Sequence, residues 1–340
     1  MDIAQLSAHA QALVAPGKGI LAADESSGTI KKRFDSIGVE STEDNRRDYR
    51  EMLFRAPGAG NYISGVILYD ETLRQNAADG TPLVKILQDD GVIPGIKVDL
   101  GAKPLPNAEG ETVTEGLDGL RERLAEYYEL GARFAKWRAT YTITDSLPSQ
   151  YCIDVNAHAL ARYAALCQEA SIVPIVEPEV LMDGAHTIER SFEVTSAVLD
   201  ALYEELFAQR VVLEGSLLKP NMVLSGYSCS TQASVEDVAA ATVKCFKEQV
   251  PSAVPGIVFL SGGQSDELAT AHLNAMNKLG PLPWELSFSY GRALQAPALK
   301  AWKGAIANVE AGANAFLHRA KCNSAARSGR YTVEMEKAAS

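Results

Sequence analysis

The strongest constraint on the fold of this chain is a repeat of shape rather than of letters. Eight short apolar runs, at residues 18–24, 62–69, 93–100, 133–140, 172–180, 211–220, 256–263 and 284–291, each turn abruptly polar toward the carboxyl end. All are of strand length. Helical periodicity fills most of the spaces, over 43–55, 82–89, 116–130, 155–170, 185–209, 235–249, 265–279 and 295–310, and one more amphipathic stretch, 3–14, precedes the first run. Strands alternating with helices predict parallel βαβ units, and their continuous apolar character fits a sheet covered on both faces. Eight such units close into a (β/α)8 TIM barrel, an α/β fold, with 3–14 as an extra N-terminal helix. An open doubly wound sheet would instead carry a Gly-rich dinucleotide fingerprint after its first strand, where this chain has Asp24-Glu-Ser-Ser-Gly28. No linker divides the chain, so residues 1–340 are expected as one barrel domain. The Gly-, Pro- and Glu-rich stretch 101–115 predicts a long surface loop, and 325–340 a flexible, mobile C-terminal tail.

Charge narrows the partners. A formal net charge of -11 argues against nucleic acid or an anionic membrane, both of which need a basic face. No apolar run reaches the roughly 18 residues of a membrane span, and the amino terminus has no signal or transit pattern. Five cysteines form no CxxC or zinc spacing, which predicts free thiols in a reducing, cytoplasmic setting. The five histidines are scattered without HxH or HxxxH, so no catalytic metal is expected.

Barrel chemistry collects at the carboxyl ends of the strands, and charged residues recur there: Asp24, Lys97 and Asp99, Lys136 and Arg138, Glu177 and Glu179, Lys219, and Arg292 after the eighth run. A side-chain period of two puts the members of each i, i+2 pair on one face, so that all share one mouth. Interior charges in such numbers are costly unless they serve a site; Asp99 alone reads as a structural partner, for Lys97. Ser261-Gly262-Gly263 frees backbone amides after the seventh run, and Gly291-Arg292 opens a helix whose amino end favours an anion. Lys97, Arg138 and Ser26 suit a second anion across the mouth. Two anion sites flanking a lysine fit a bisphosphate. Lys219, with Leu217 and Asn221 as same-face neighbours and no charge within two residues, is the most desolvated amine of the set and the first candidate nucleophile.

On these residues the sequence resembles class I fructose-1,6-bisphosphate aldolase, the Schiff-base type. The motifs are Gly19-Ile-Leu-Ala-Ala-Asp-Glu-Ser26, Gly95-Ile-Lys-Val-Asp99, Phe134-Ala-Lys-Trp-Arg138, Pro174-Ile-Val-Glu-Pro-Glu179, Leu213-Glu-Gly-Ser-Leu-Leu-Lys-Pro-Asn-Met222, Leu260-Ser-Gly-Gly-Gln264 and Ser289-Tyr-Gly-Arg-Ala-Leu-Gln295. The resemblance implies reversible cleavage of fructose 1,6-bisphosphate to dihydroxyacetone phosphate and glyceraldehyde 3-phosphate, with no cofactor and in a homotetramer. It implies that Lys219 forms the Schiff base. Glu177 would be the acid/base for carbinolamine dehydration, a task for a carboxyl tuned upward, with Glu179 its companion. Asp24 would take the proton from the hydroxyl on the fourth carbon while Lys136 polarises that region. Phosphate and substrate binding would fall to Ser26, Lys97, Arg138, Ser261, Gly262, Gly263, Ser289, Gly291 and Arg292. Many family members end in a tyrosine that assists proton exchange on the enamine, whereas this sequence ends Lys-Ala-Ala-Ser340 and Tyr331 is the only tyrosine near that end. Another phosphosugar-processing barrel enzyme, or a non-catalytic scaffold on the same fold, is the competing reading.

Overall fold

The structure, a computed structural model, describes residues 2–339. Eight parallel strands close into a barrel: β1 (Gly19–Ala23), β2 (Ile63–Leu68), β3 (Ile93–Lys97), β4 (Phe134–Tyr141), β5 (Val173–Val180), β6 (Leu217–Leu218), β7 (Gly256–Phe259) and β8 (Glu285–Tyr290). Closure is made by β1, which pairs with both β2 and β8. Every predicted apolar run contributes one strand, and the predicted helices surround them. No helix among the described residues is long and apolar enough to cross a membrane.

Alternate residues divide between two cores. Ile20, Ala22, Ile67, Phe134, Val173, Ile175, Leu217 and Val258 fill the barrel, while their neighbours Leu21, Ala23, Leu68, Ala135 and Val176 face the helices. Leu6, Ala10 and Leu13 of the N-terminal helix Ile3–Leu13 join the inner cluster and plug the end of the barrel away from the charged mouth. The Phe134 ring needs room, and glycine supplies it: a Cβ on Gly95 would lie 2.3 Å from the ring, and one on Gly65 would lie 2.7 Å from Leu13.

Four expectations are corrected. Only Leu217–Leu218 of 211–220 pair as a strand, while Leu213–Gly215 coils into a 3-10 turn. The cause is Gln168, whose side chain accepts from the Val212 amide and donates to the Val212 and Gly215 carbonyls, taking the groups a ladder would use. The loop at 101–115 contains an antiparallel hairpin, Ala102–Pro104 with Thr112–Thr114. The helix at 295–310 ends at Trp302, because Lys303 and Gly304 both take positive φ, and a second helix starts at Val309. That second helix, Val309–Arg327, carries the start of the supposed tail, and Val333–Ala339 forms a 3-10 segment. Ala326, Arg327 and Tyr331 are buried, and Arg327 reaches the Val14 and Ala15 carbonyls and Glu285. Ala326, Arg327 and Tyr331 thus tie the start of the stretch to the barrel, while Thr332, Val333 and Glu334 are exposed; Ser340 lies outside the described residues.

Candidate active site

The carboxyl ends of the strands open into a cavity of about 840 Å3 whose wall includes Asp24, Ser26, Lys97, Lys136, Arg138, Glu177, Glu179, Lys219, Ser261, Gly262, Ser289, Gly291 and Arg292. Side-chain alternation along β4 and β5 aims Lys136 and Arg138, and Glu177 and Glu179, at the same space. Gly263 does not line the cavity; it packs against the Tyr227 ring instead.

At the centre, one carboxylate lies between two ammonium groups. Glu177 Oε1 is 3.2 Å from Lys219 Nζ and its Oε2 is 3.2 Å from Lys136 Nζ. Lys136 also meets Asp24 at 2.8 Å and Asp99 at 4.0 Å. Asp99 in turn holds Lys97 at 2.6 Å and accepts from the Gly101 and Arg138 amides, which is the structural role its sequence position suggested. Arg138 pairs with Glu179. Four cations, Lys97, Lys136, Arg138 and Lys219, thus face four carboxylates, Asp24, Asp99, Glu177 and Glu179, in a charge-matched network whose centre, Lys136, Lys219, Asp99 and Glu177, is buried while Arg138 is exposed at its rim. Lys219 is 4% exposed, in keeping with its apolar surroundings along the chain. It is not remote from charge, however, because β5 and β6 are neighbours and the strand ladder continues through the Lys219 amide to the Val176 carbonyl.

The electrostatics reassign two carboxyls. Burial pushes Glu177 up, but Lys136, Lys219 and Arg138 outweigh it and hold the carboxyl below its ordinary value. The group expected to be tuned upward is therefore ionised at rest. Glu179 is the raised one, through burial and the neighbouring Glu177, against the pull of Arg138. Asp24 is held far below the carboxylate range: desolvation raises it, and Lys136 and Lys219 more than reverse that. Lys136 is held well above the ordinary lysine value, since Asp24, Glu177 and Asp99 outweigh its burial.

On the other side of the mouth, Gly262 and Gly263 take φ of 57° and 95°, a turn open to glycine and strained for other residues. Tyr227 donates its hydroxyl to the Gly262 carbonyl at 2.7 Å and fixes that turn. Gly291 precedes the helix Arg292–Trp302 with no side-chain cap, leaving its first amides free toward the cavity, and Arg292 donates to the Gln264 carbonyl at 2.5 Å. Ser289 Oγ is buried without a partner beside them. Backbone amides, an arginine and an unpaired hydroxyl together make a cradle for an oxyanion. Ser26 faces it from across the mouth, at the start of helix Ser27–Asp35, which the sequence reading missed.

Several supporting residues also escaped the sequence reading. Glu25, adjacent to Asp24, also lines the mouth and pairs there with Arg33 at 2.5 Å and Gln295 at 2.7 Å, while Arg50 donates to its carbonyl, so the end of β1 is clamped. Asn221, expected on the same face as Lys219, points elsewhere: it accepts from the Val180 amide at 3.0 Å and donates to Thr195, tying the ends of β5 and β6 together. Pro220 interrupts the alternation between them. Arg123 donates to the Val98 and Gly116 carbonyls and pins the end of β3. Their residue types gave no signal; only the Lys-Pro-Asn motif hinted at Asn221.

The carboxylates of the mouth are already matched to cations, and among the described residues no trio of His, Cys, Asp or Glu ligand atoms gathers there. Tyr331 is buried with its hydroxyl on Glu336 at 2.8 Å, and it does not line the cavity.

Comparison with known proteins agrees with this geometry. Residues 5–340 match the family model described as fructose-bisphosphate aldolase class-I, glycolytic. The chain is 60% identical to a probable fructose-bisphosphate aldolase class 1 of Xanthomonas campestris, over 97% of this chain and 99% of that protein. It is 56% identical to a fructose-bisphosphate aldolase of Dictyostelium discoideum, over 97% and 93%. Among solved structures, a fructose-bisphosphate aldolase of Plasmodium falciparum, crystallised with TRAP and a small-molecule inhibitor, superposes with a TM-score of 0.96 at 51% identity, covering 97% of this chain and 96% of that one. A barrel with this charged mouth and full-length likeness at this level leave one assignment: the chain belongs to the class I fructose-bisphosphate aldolase family.

Proposed function

We infer that this aldolase cleaves fructose 1,6-bisphosphate reversibly to dihydroxyacetone phosphate and glyceraldehyde 3-phosphate through a Schiff base on Lys219. The observation that carries the reading is the buried Lys219 ammonium 3.2 Å from the Glu177 carboxylate at the centre of the mouth. Because Glu177 is ionised at rest, it first takes a proton from Lys219. The free amine then attacks the ketone carbon, and Glu177 returns the proton to the carbinolamine hydroxyl, which leaves as water and gives the iminium. Asp24, kept ionised by Lys136, takes the proton from the hydroxyl on the fourth carbon as the bond to the third carbon breaks. The electron pair passes into the iminium, leaving an enamine, and the aldehyde departs. Proton return to the enamine carbon falls to a group of the mouth, with Glu177 the carboxylate nearest Lys219. Glu179 holds Arg138 in place and, with its raised value, is the carboxyl best suited to carry a proton there.

One phosphate sits on Ser261, Gly262, Ser289, Gly291 and Arg292, with Gly263 shaping the turn. Ser26, Lys97 and Arg138 receive the other. We further read the chain as one barrel domain working as a cytoplasmic homotetramer without a catalytic metal. The family likeness supports this reading, as do five free cysteines and an Arabidopsis thaliana relative described as cytosolic. Borohydride reduction in the presence of dihydroxyacetone phosphate, followed by peptide mass analysis, tests the central step. The expected adduct is on Lys219; labelling of another lysine, or of none, refutes it.

A further inference from the structure

Away from the mouth, helix Val309–Arg327 carries His318 and Cys322 one turn apart, on the same face. The 3-10 segment Val333–Ala339 lays Glu336 over them. His318 Nε2 is 3.5 Å from Glu336 Oε2 and 3.7 Å from Cys322 Sγ. All three ligand atoms lie within 4.8 Å of one another, and among the described residues no other trio of such side chains is so disposed. A tetrahedral zinc ion, with bonds of about 2.0 Å to nitrogen and oxygen and about 2.3 Å to sulfur, sets edges of about 3.3 Å for N···O and about 3.5 Å for N···S. Both edges that start from the imidazole nitrogen are therefore already close to those of a coordinated set, and the third, between the Cys322 sulfur and the Glu336 carboxylate, is no longer than 4.8 Å.

We propose that His318, Cys322 and Glu336 form a site for a borderline-soft divalent cation such as Zn2+, separate from the catalytic mouth, which fastens the segment Val333–Ala339 to helix Val309–Arg327. The donor set of imidazole, thiolate and carboxylate is the one such cations select. Outer partners are in place: Tyr331 donates its hydroxyl to Glu336 Oε1 at 2.8 Å, and Arg319 donates to Oε2, so the carboxylate is oriented before any ion arrives. The Arg319 charge opposes a cation, but thiolate and carboxylate together bring two negative charges against it. Binding displaces the Cys322 thiol proton to solvent and so tightens as pH rises. A cavity of about 920 Å3, bordered by His318, Arg319 and Glu336, opens beside the cluster and gives the ion a route in and room for water as the fourth ligand.

The test uses the whole chain, stripped with a chelator and titrated first with Co2+, then with Zn2+. One equivalent of Co2+ per chain should give a thiolate-to-cobalt charge-transfer band in the near ultraviolet, which Zn2+ then abolishes by displacement. Cys322→Ser and His318→Ala should each lose the band and weaken Zn2+ binding at least about 10-fold, the scale on which loss of even an outer partner acts. Cys229→Ser, at the half-buried cysteine outside the cluster, should change neither. Should Cys322→Ser fail to fold, His318→Ala and Glu336→Gln, at partly exposed side chains, carry the same readout. Absence of the band in the unaltered chain, or its survival in the His318 and Cys322 variants, overturns the site.

Discussion

Lys136→Met is the perturbation that most directly probes the charge network. Lys136 faces Asp24 at 2.8 Å, Glu177 at 3.2 Å and Asp99 at 4.0 Å, all four groups being buried or nearly so. With an effective dielectric of about 20, these separations correspond to about 6, 5 and 4 kcal/mol of attraction before desolvation is counted. Desolvation of the ammonium removes most of that sum, and deletion of one partner from a buried ion pair costs about 3–5 kcal/mol. Methionine keeps the length and bulk of the side chain, so little of this cost is packing.

The pH dependence separates charge from packing. In the parent, Asp24 and Glu177 have folded values below their unfolded ones, so they stabilise the fold above about pH 4, the unfolded carboxyl value, and that stability is lost as pH falls through the folded values. Without Lys136, burial, the largest single influence on both, is opposed only by the remaining cations, so both carboxyls are expected to rise in the folded state and the stabilisation above about pH 4 to be lost. The deficit of the variant against the parent should accordingly grow between about pH 5 and pH 7.5. Urea unfolding of both proteins at the two pH values measures it. A deficit equal at both, or below about 1 kcal/mol at pH 7.5, would refute the view that Lys136 is what keeps these carboxylates ionised.

Two further outcomes follow from particular contacts. Arg292→Ala removes a charge-assisted contact worth about 1.5–3 kcal/mol, so kcat/KM for the bisphosphate should fall about 10- to 150-fold while an unphosphorylated ketose is little affected; equal losses on both would count against Arg292 as a phosphate ligand. Gly95→Ala drives a Cβ to within 2.3 Å of the Phe134 ring inside the barrel and should cost about 1–3 kcal/mol in thermal or urea unfolding, whereas Gly28→Ala, with open space around it, should be neutral or better.

Much of the architecture was legible along the chain, because a parallel strand buried on both faces writes itself as a continuous apolar run and a surface helix as a periodic one. The eight strands, the plugging helix Ile3–Leu13 and the carboxyl-end position of Lys219, Glu177 and Asp24 all came from that code. It failed where backbone groups are claimed by a distant side chain or where the chain turns into positive φ. Gln168 turns 213–215 into a coil, and Lys303 with Gly304 breaks a stretch whose periodicity continues. Hairpin Ala102–Pro104 with Thr112–Thr114 was missed because two three-residue strands are too short to show a period.

By itself, then, the sequence determined most of the charged side chains that reach the mouth, since alternation along a strand is a local property, though it misplaced Asn221, which Pro220 turns away. Only the tertiary structure decided what each one does to the next. Glu177 meets Lys219 and Lys136 because β5 lies between β4 and β6, and this adjacency reverses the shift expected of a buried carboxyl. Glu336 likewise comes to His318 and Cys322 only through the fold of the last segment. Electrostatic interaction depends on separation in space, and residues 41 apart in the chain, such as Lys136 and Glu177, stand 3.2 Å apart in the barrel.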